Sequence, residues 1–252
     1  MLNTIVTGPD DLPPLIIAHG LFGSARNWGV IAKRLSDIRR VIAVDMRNHG
    51  DSFHDASHSY EAMAEDLSEV IKANGGRADV LGHSMGGKAA MLLAVETPDL
   101  VSELLVADIA PVTYTHSQLE FVEAMQGVDL GGITRRSEVD PLLAESVDDP
   151  ALRAFLLQSL DVGADGVRWK LNLEALKDQM PLIMSFPETE ARYEGSVHFI
   201  MGGESDYVLE EHRSRIEKLL PRALFVQISG AGHWLHAEAP RAFETAVRQI
   251  LV

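Results

Sequence analysis

The sequence contains no cysteine among its 252 residues. This absence excludes a thiol nucleophile, a disulfide framework and a cysteine-based zinc site. Such crosslinks are not needed, because 46% of the residues are hydrophobic and a chain of this length buries about 70–75% of the surface that it exposes when unfolded. The composition therefore predicts one large domain, or one domain with a small insertion.

The sequence also lacks long apolar runs and an excess of positive charge. No apolar run approaches the ~20 residues that a membrane-spanning helix needs, and the first residues show neither the charged start nor the apolar stretch of a signal peptide. The formal net charge of −15 disfavours nucleic acid and anionic membrane surfaces as partners. We therefore expect a cytoplasmic protein without integral membrane association; a monomer and a homodimer are both compatible with the sequence.

Short apolar runs alternate with amphipathic runs of helical length along most of the chain. This alternation is typical of an α/β fold, in which a mostly parallel twisted sheet carries helices on both faces. The predicted strands are residues 15–18, 41–44, 79–82, 103–107, 197–201 and 224–228, with residues 2–6 as an antiparallel edge strand. The predicted helices are residues 28–35, 60–74, 87–96, 212–219 and 241–251.

The alternation stops between residues 111 and 194, where the sequence predicts helices at residues 117–125, 138–144, 151–159 and 171–180. We interpret residues 1–110 and 195–252 as the α/β core. Residues 111–194 are interpreted as a helical cap inserted over the strand ends, where ligands bind in open α/β sheets. Most apolar side chains of the cap are expected to form its own core, and we expect Trp169 and Phe186 to contact substrate.

The segment Gly-His-Ser-Met-Gly at residues 82–86 follows an apolar run and opens a predicted helix. In that strand–turn–helix context, the pattern Gly-x-Ser-x-Gly is typical of a nucleophile elbow, which presents a serine at the tip of a sharp turn. The two glycines leave room for the turn because they carry no Cβ atom. We therefore predict that Ser84 is a nucleophile.

A serine hydroxyl is a weak nucleophile and needs an adjacent base. His233 is the predicted base, because it lies on a glycine-bearing loop between the last predicted strand and the last predicted helix, at the same sheet edge as Ser84. An acid must then orient His233. Asp108 and Asp206 each follow a predicted strand between Ser84 and His233, and the spacing does not choose between them.

Backbone N–H groups must stabilise the negative charge that develops on a substrate oxygen during attack by serine. We predict one such group from Met85, the residue after the nucleophile. We predict the other from Leu21, which directly follows the His-Gly pair at residues 19–20. Phe22 and Trp234 are the expected substrate contacts from the core.

Other histidines in the sequence have structural interpretations. Arg47 and His49 lie in a polar turn after a predicted strand, and we interpret them as parts of a hydrogen-bonded structural turn. His54 and His58 are four residues apart, which would suit metal ligation on a helix, but the local sequence is typical of a loop. We therefore predict no metal site there.

Several segments resemble the α/β-hydrolase superfamily, namely residues 19–20, 45–52, 82–87 and 230–234. Finer features are similar to the YbfF-type small esterases and their mitochondrial relatives, at residues 19–28, 86–88, 108–112 and 232–237. The resemblance covers nearly the whole chain and implies an α/β-hydrolase fold with an inserted cap. In that branch the aspartate of the Asp-Ile-Ala-Pro-Val segment is the triad acid, which implies Asp108. The more general superfamily pattern would place the acid at Asp206, which stays the alternative.

A serine at the elbow implies acyl transfer within this superfamily, most simply hydrolysis of a small-molecule carboxylic ester through an acyl-enzyme, without a cofactor. The cap favours short- to medium-chain acyl groups, because it partly encloses the pocket. Acyltransferase, thioesterase and perhydrolase chemistry would use the same three residues. The alternative to an enzyme is a catalytically silent hydrolase fold that serves as a binding module.

Overall fold

The computed structural model of the protein describes residues 1–163 and 166–252. Its strands are β1 (Thr4–Thr7), β2 (Pro14–Ala18), β3 (Arg40–Val44), β4 (Ala78–His83), β5 (Val101–Ala107), β6 (Leu160–Gly163), β7 (Gly166–Trp169), β8 (Ser196–Gly202) and β9 (Ala223–Ile228). Its helices are α1 (Gly29–Leu35), α2 (Tyr60–Ala73), α3 (Met85–Glu96), α4 (Leu119–Gly127), α5 (Asp140–Leu143), α6 (Pro150–Leu156), α7 (Leu173–Asp178), α8 (Met180–Met184), α9 (Arg213–Leu219), α10 (Leu235–Glu238) and α11 (Pro240–Leu251). Within these described ranges, no helix has both the length and the apolar character that a membrane crossing requires.

Seven strands of the described residues form one sheet in the order β1-β3-β2-β4-β5-β8-β9. β1 pairs with β3 in antiparallel orientation, and the other neighbours are parallel. The central strands β2 and β4 are buried along nearly their whole length, which explains the apolar runs at residues 15–18 and 80–82. Because parallel strands end at the same edge of a sheet, the loops after β2, β4, β5, β8 and β9 meet there.

Helices cover both faces of this sheet, and the side chains of β2 show how two cores arise. Ile16 belongs to the core that α2 and α3 cover, whereas Leu15 and Ile17 belong to the core that α1 and α11 cover. Successive side chains of a strand point to opposite faces, so each central strand supplies both cores. The predicted α/β class and the mostly parallel sheet are confirmed.

An inserted segment between β5 and β8 contains α4 to α8, at the place where the predicted alternation stops. It also contains an antiparallel hairpin of β6 and β7, which was not predicted. Each strand of this hairpin has four residues and includes a glycine, which is depleted in strands, so its sequence signal is weak. Val122 and Leu156 of the insertion belong to the same apolar cluster as α2 and α3. The division into core and cap at residues 110/111 and 194/195 stays a prediction.

A buried lysine ties the insertion to α3. The Lys88 ammonium donates hydrogen bonds to the backbone oxygens of Val112 at 2.9 Å, Met184 at 3.1 Å and Ser185 at 2.6 Å. These three acceptors use all three N–H groups of the ammonium. Burial lowers the pKa of Lys88 to about 7. Since Val112 lies near the start of the insertion and Ser185 follows α8, one side chain holds both ends of the segment.

Gly86 and Gly127 differ in how much room their surroundings leave for a side chain. A Cβ atom on Gly86, in the first turn of α3, would lie 2.4 Å from the backbone oxygen of Ala18 in β2. A Cβ atom on Gly127, at the end of α4, would meet no described atom from outside its own helix backbone within 4 Å. We expect Gly86→Ala to lower the free energy of unfolding by about 1–3 kcal/mol or more, because backbone would have to move.

The matched variant Gly127→Ala should change the free energy of unfolding by less than about 1 kcal/mol. Urea denaturation of the two variants and the wild type measures both values. Equal losses in the two variants would contradict the close approach of α3 to β2.

Candidate active site

Ser84 occupies the sharp turn between β4 and α3. Its backbone angles are φ 51° and ψ −121°, which a residue with a Cβ atom rarely adopts. Backbone hydrogen bonds hold the turn, because Ser84 N–H donates to the oxygen of Ala107 and Lys88 N–H donates to the oxygen of Ser84, each at 3.0 Å. Strained backbone that the surrounding structure maintains in this way is typical of functional sites.

His233 lies on the loop between β9 and α10 and contacts Asp108, the residue that follows β5. His233 Nδ1 donates a hydrogen bond of 2.8 Å to Asp108 Oδ2. The Asp108 side chain is fully buried and also accepts hydrogen bonds from Gly202 N–H at 2.9 Å and from the Ser205 hydroxyl. Because the proton of the neutral His233 ring sits on Nδ1, Nε2 is free to act as a base.

The structure separates the two candidate acids that the sequence left open. Asp206 is exposed, and the described hydrogen bonds include none between Asp206 and His233. The preceding residue, Ser205, donates its hydroxyl to the carboxylate of Asp108. The geometry therefore favours Asp108 as the partner of His233.

Two residues that the sequence analysis did not single out support His233, one by direct contact and one through Asp108. The Tyr207 ring stacks on the His233 ring, with centroids 3.8 Å apart and an interplanar angle of 17°. Ser205 bonds to the carboxylate that His233 contacts. Both follow β8 at the same sheet edge as Ser84, and this position was the signal that could have identified them.

A cavity of about 320 Å³ opens at this edge and is lined by both Ser84 and His233. The hydrogen bonds of the described residues include none between these two side chains; in unliganded sites such contacts often tighten only when substrate binds. Phe22 and Trp234 also line the cavity, and their contact with substrate stays a prediction.

Trp169 and Phe186 do not line the described part of this cavity, contrary to expectation. Trp169 Nε1 donates to the backbone oxygen of Met125 at 3.0 Å, which holds the hairpin against α4. Phe186 is buried, with its ring centroid 6.3 Å from that of Tyr60. Both side chains therefore stabilise the packing of the insertion. The insertion contributes other side chains to the cavity, namely Gln118, Phe121, Leu152, Phe155, Ile183 and Met184.

The backbone N–H groups of Leu21 and Met85 are available to bind an oxyanion. Both residues line the cavity, and neither N–H has a hydrogen-bond partner among the described residues. Met85 opens α3, where the first N–H groups of a helix lack partners within the helix. The N–H of Phe22 is already occupied, because it donates to His49 Nε2 at 3.2 Å.

Two further histidines beside His233 are buried. Burial, with smaller contributions from His233 and His236, lowers the pKa of His83 well below its ordinary value. Burial, followed by the charge of His233, lowers the pKa of His236 to about 4. His83 Nε2 donates to the backbone oxygen of His233 at 2.9 Å, and the His236 ring stacks on Trp28 with centroids 4.2 Å apart. Neutral rings thus support the loop that carries His233.

Comparisons with known proteins show which family this chain resembles. A model of the alpha/beta hydrolase family matches residues 15–246. The chain is 40% identical to the protein of Mus musculus named sn-1-specific diacylglycerol lipase ABHD11, over 98% of this chain and 83% of that protein. It is 38% identical to the Escherichia coli K12 protein named esterase YbfF, over 94% of this chain and 92% of that protein. A solved structure described as a marine microorganism esterase superposes with a TM-score of 0.94 at 38% identity and covers 99% of this chain and 98% of its own.

The depressed pKa of His236 predicts a loss of stability in acid. Folded protein keeps this ring neutral until the pH reaches about 4, whereas the unfolded chain binds the proton below about pH 6.5. Acid between these two values therefore favours the unfolded state, by up to about 1.4 kcal/mol per pH unit. Above about pH 6.5 His236 is neutral in both states and does not make stability depend on pH.

His236→Gln should reduce the stability lost between neutral pH and about pH 5, because glutamine does not titrate. Urea denaturation of the variant and the wild type at both pH values measures the loss. A variant that loses as much stability as the wild type on acidification would contradict a neutral, buried His236.

Proposed function

The chain belongs to the alpha/beta hydrolase family, and we propose that it is a carboxylic ester hydrolase in which Ser84, His233 and Asp108 form the catalytic triad. The observation that carries the proposal is the 2.8 Å hydrogen bond from His233 Nδ1 to the buried Asp108, beside a cavity that Ser84 also lines. Similarity to proteins named esterases and to one named a lipase supports ester hydrolysis as the reaction.

In the proposed mechanism, His233 Nε2 takes the proton of the Ser84 hydroxyl while the oxygen attacks the ester carbonyl. Asp108 stays ionised, orients His233 and stabilises the imidazolium that forms. The N–H groups of Leu21 and Met85 donate to the oxyanion of the tetrahedral intermediate. His233 then gives its proton to the leaving alcohol, and an acyl-enzyme remains on Ser84.

Hydrolysis of the acyl-enzyme repeats these steps with water as the nucleophile. His233 removes a proton from the water, the second tetrahedral intermediate occupies the same oxyanion hole, and collapse releases the acid and returns the proton to Ser84. Acyl transfer to an alcohol differs only in the acceptor that enters at this stage. The proposal needs no cofactor for any of these steps.

The size and lining of the cavity support short- to medium-chain acyl esters as substrates. Its volume of about 320 Å³ lies near the lower end of the ~300–1,000 Å³ that is usual for ligand pockets. The side chains of Phe121, Leu152 and Phe155 give its insertion side an apolar surface, which suits a hydrocarbon chain.

Hydrolysis of p-nitrophenyl acetate, butyrate, octanoate and palmitate tests the proposal. We expect the wild type to prefer the shorter chains and Ser84→Ala to lose turnover, because the nucleophile is gone. Asp108→Asn should lower kcat by about 10⁴-fold, since asparagine no longer holds His233 in the correct tautomer. The exposed Asp206 supplies the matched control, and Asp206→Asn should retain kcat within about threefold.

Three outcomes would contradict parts of this proposal. A wild type that neither hydrolyses these esters nor reacts with a fluorophosphonate would contradict a serine hydrolase. Loss of activity in Asp206→Asn but not in Asp108→Asn would move the acid to Asp206. Formation of a butyl ester in preference to the free acid, when butanol is added, would favour acyl transfer.

A further inference from the structure

Three histidines that the proposed mechanism does not use are buried beside the loop of residues 20–23. The ring centroids of His19 and His49 lie 5.1 Å apart, and those of His49 and His58 lie 5.5 Å apart. We refer to these three residues as the histidine cluster. Burial lowers the pKa of every member, and lowers the pKa of His58 to about 3. The cluster is therefore neutral near neutral pH.

The hydrogen-bond partners of His49 determine its tautomer. Its Nδ1 lies 2.9 Å from the backbone oxygen of Arg47, which can only accept, so Nδ1 carries the proton. Its Nε2 accepts a hydrogen bond of 3.2 Å from the backbone N–H of Phe22. A protonated ring would turn an N–H group toward that donor, so the contact requires the neutral form.

The other two rings hold neighbouring segments in the same way. His19 Nδ1 donates to the backbone oxygen of Gly20 at 2.8 Å, and its Nε2 accepts from a backbone N–H. His58 Nδ1 accepts from the side-chain amide of Asn48 at 3.2 Å, and its Nε2 donates to Met85 Sδ at 3.3 Å. The cluster thus contacts both segments that supply the proposed oxyanion donors.

The contact with His49 helps to stabilise the unusual backbone of Phe22. Phe22 has a φ of 63°, in a region that costs a bulky residue on the order of 1–3 kcal/mol. In this conformation Phe22 N–H donates to His49, and Leu21 N–H has no partner among the described residues. Gly23 N–H closes the turn on the oxygen of Gly20 at 3.0 Å. Without the His49 contact, Phe22 could relax to an ordinary φ by rotation of the Leu21–Phe22 peptide, which would displace Leu21 and with it the Leu21 N–H.

We infer that His49 is a positioning residue for the oxyanion hole: it holds Phe22 N–H so that Leu21 N–H faces the developing oxyanion. The inference rests on the proposed function, because it concerns the same acyl-transfer step. His49 is absent from the described lining of the cavity, so it acts through the loop and not on the substrate. Its loss should therefore affect stabilisation of the transition state more than binding of the ester.

Two substitutions of similar length separate the hydrogen bond from the bulk of the ring. His49→Gln can place an amide oxygen near the position of Nε2, whereas His49→Met places a methyl group there. With p-nitrophenyl butyrate, we expect His49→Met to lower kcat by about 10²–10³-fold with little change in KM, the loss typical of one missing oxyanion donor. His49→Gln should recover most of that loss, because its oxygen accepts from Phe22 N–H.

A trifluoromethyl ketone provides the readout that a merely structural role would not change. The ketone adds to Ser84 as a tetrahedral oxyanion and so requires the oxyanion hole. His49→Met should weaken this inhibitor by a factor close to its loss in kcat. The matched control is His198→Met, which removes a histidine of β8 that pairs with Glu103 of β5 at 2.8 Å, and should leave the inhibition constant unchanged.

A measurement on the wild type covers the case in which His49→Met does not fold. Nitrogen-15 spectra of the histidine side chains should show His49 protonated on Nδ1 and unprotonated on Nε2 at neutral pH. Protonation on Nε2 would overturn the inference, because that nitrogen could not then accept from Phe22 N–H.

Two kinetic outcomes would also overturn the inference about His49. One is a folded His49→Met with kcat and inhibitor affinity within about threefold of the wild type, and the other is equal loss in His49→Gln and His49→Met. In both cases the wild-type esterase activity stands and only the role of His49 fails. A wild type that is inactive on esters and unlabelled by a fluorophosphonate would overturn the proposed function as well.

Discussion

The proposed site depends on the hydrogen bonds that the buried carboxylate of Asp108 accepts. A charge in the interior is tolerated only when hydrogen bonds replace its water, and Asp108 accepts them from Gly202, Ser205 and His233. These donors lie on β8, on the loop after β8 and on the loop after β9. One side chain after β5 therefore joins three neighbouring segments of the sheet edge and holds His233 beside the cavity.

Unusual backbone angles and neutral histidine rings also shape the site. Phe22, Ser84 and Asp108 have positive φ angles of 63°, 51° and 52°, and each such residue costs stability that its surroundings must offset. Histidines hold two loops of the site, because a neutral imidazole donates at one nitrogen and accepts at the other. His49 binds the loop after β2, and His83 binds the loop that carries His233. Burial keeps such rings neutral, so they add no positive charge beside the base.

The sequence predicted the elements of the sheet more reliably than the details of the insertion. Each predicted strand of the core was found at its expected place in the chain, and the signal was strongest for the buried parallel strands, which leave short, strongly apolar runs. The β6–β7 hairpin was missed, since each of its four-residue strands includes a glycine, a residue that is depleted in strands. Trp169 and Phe186 were expected in the pocket because they are apolar, yet apolar side chains serve packing and binding equally well, and here they pack the insertion.

The sequence by itself determined the α/β class, the residue at the elbow and the candidate base, because each depends on local order: an apolar run, a glycine-bounded turn and a loop before the last helix. Only the tertiary structure decided which aspartate meets His233, since Asp108 and Asp206 both follow strands at the same edge, yet Asp108 is buried against His233 and Asp206 is exposed. It also decided the place of His49. The parallel pairing of β2 with β3 brings the turn after β3, which carries His49, against Phe22. Such contacts join residues far apart in the chain, and their geometry depends on packing that no local pattern encodes.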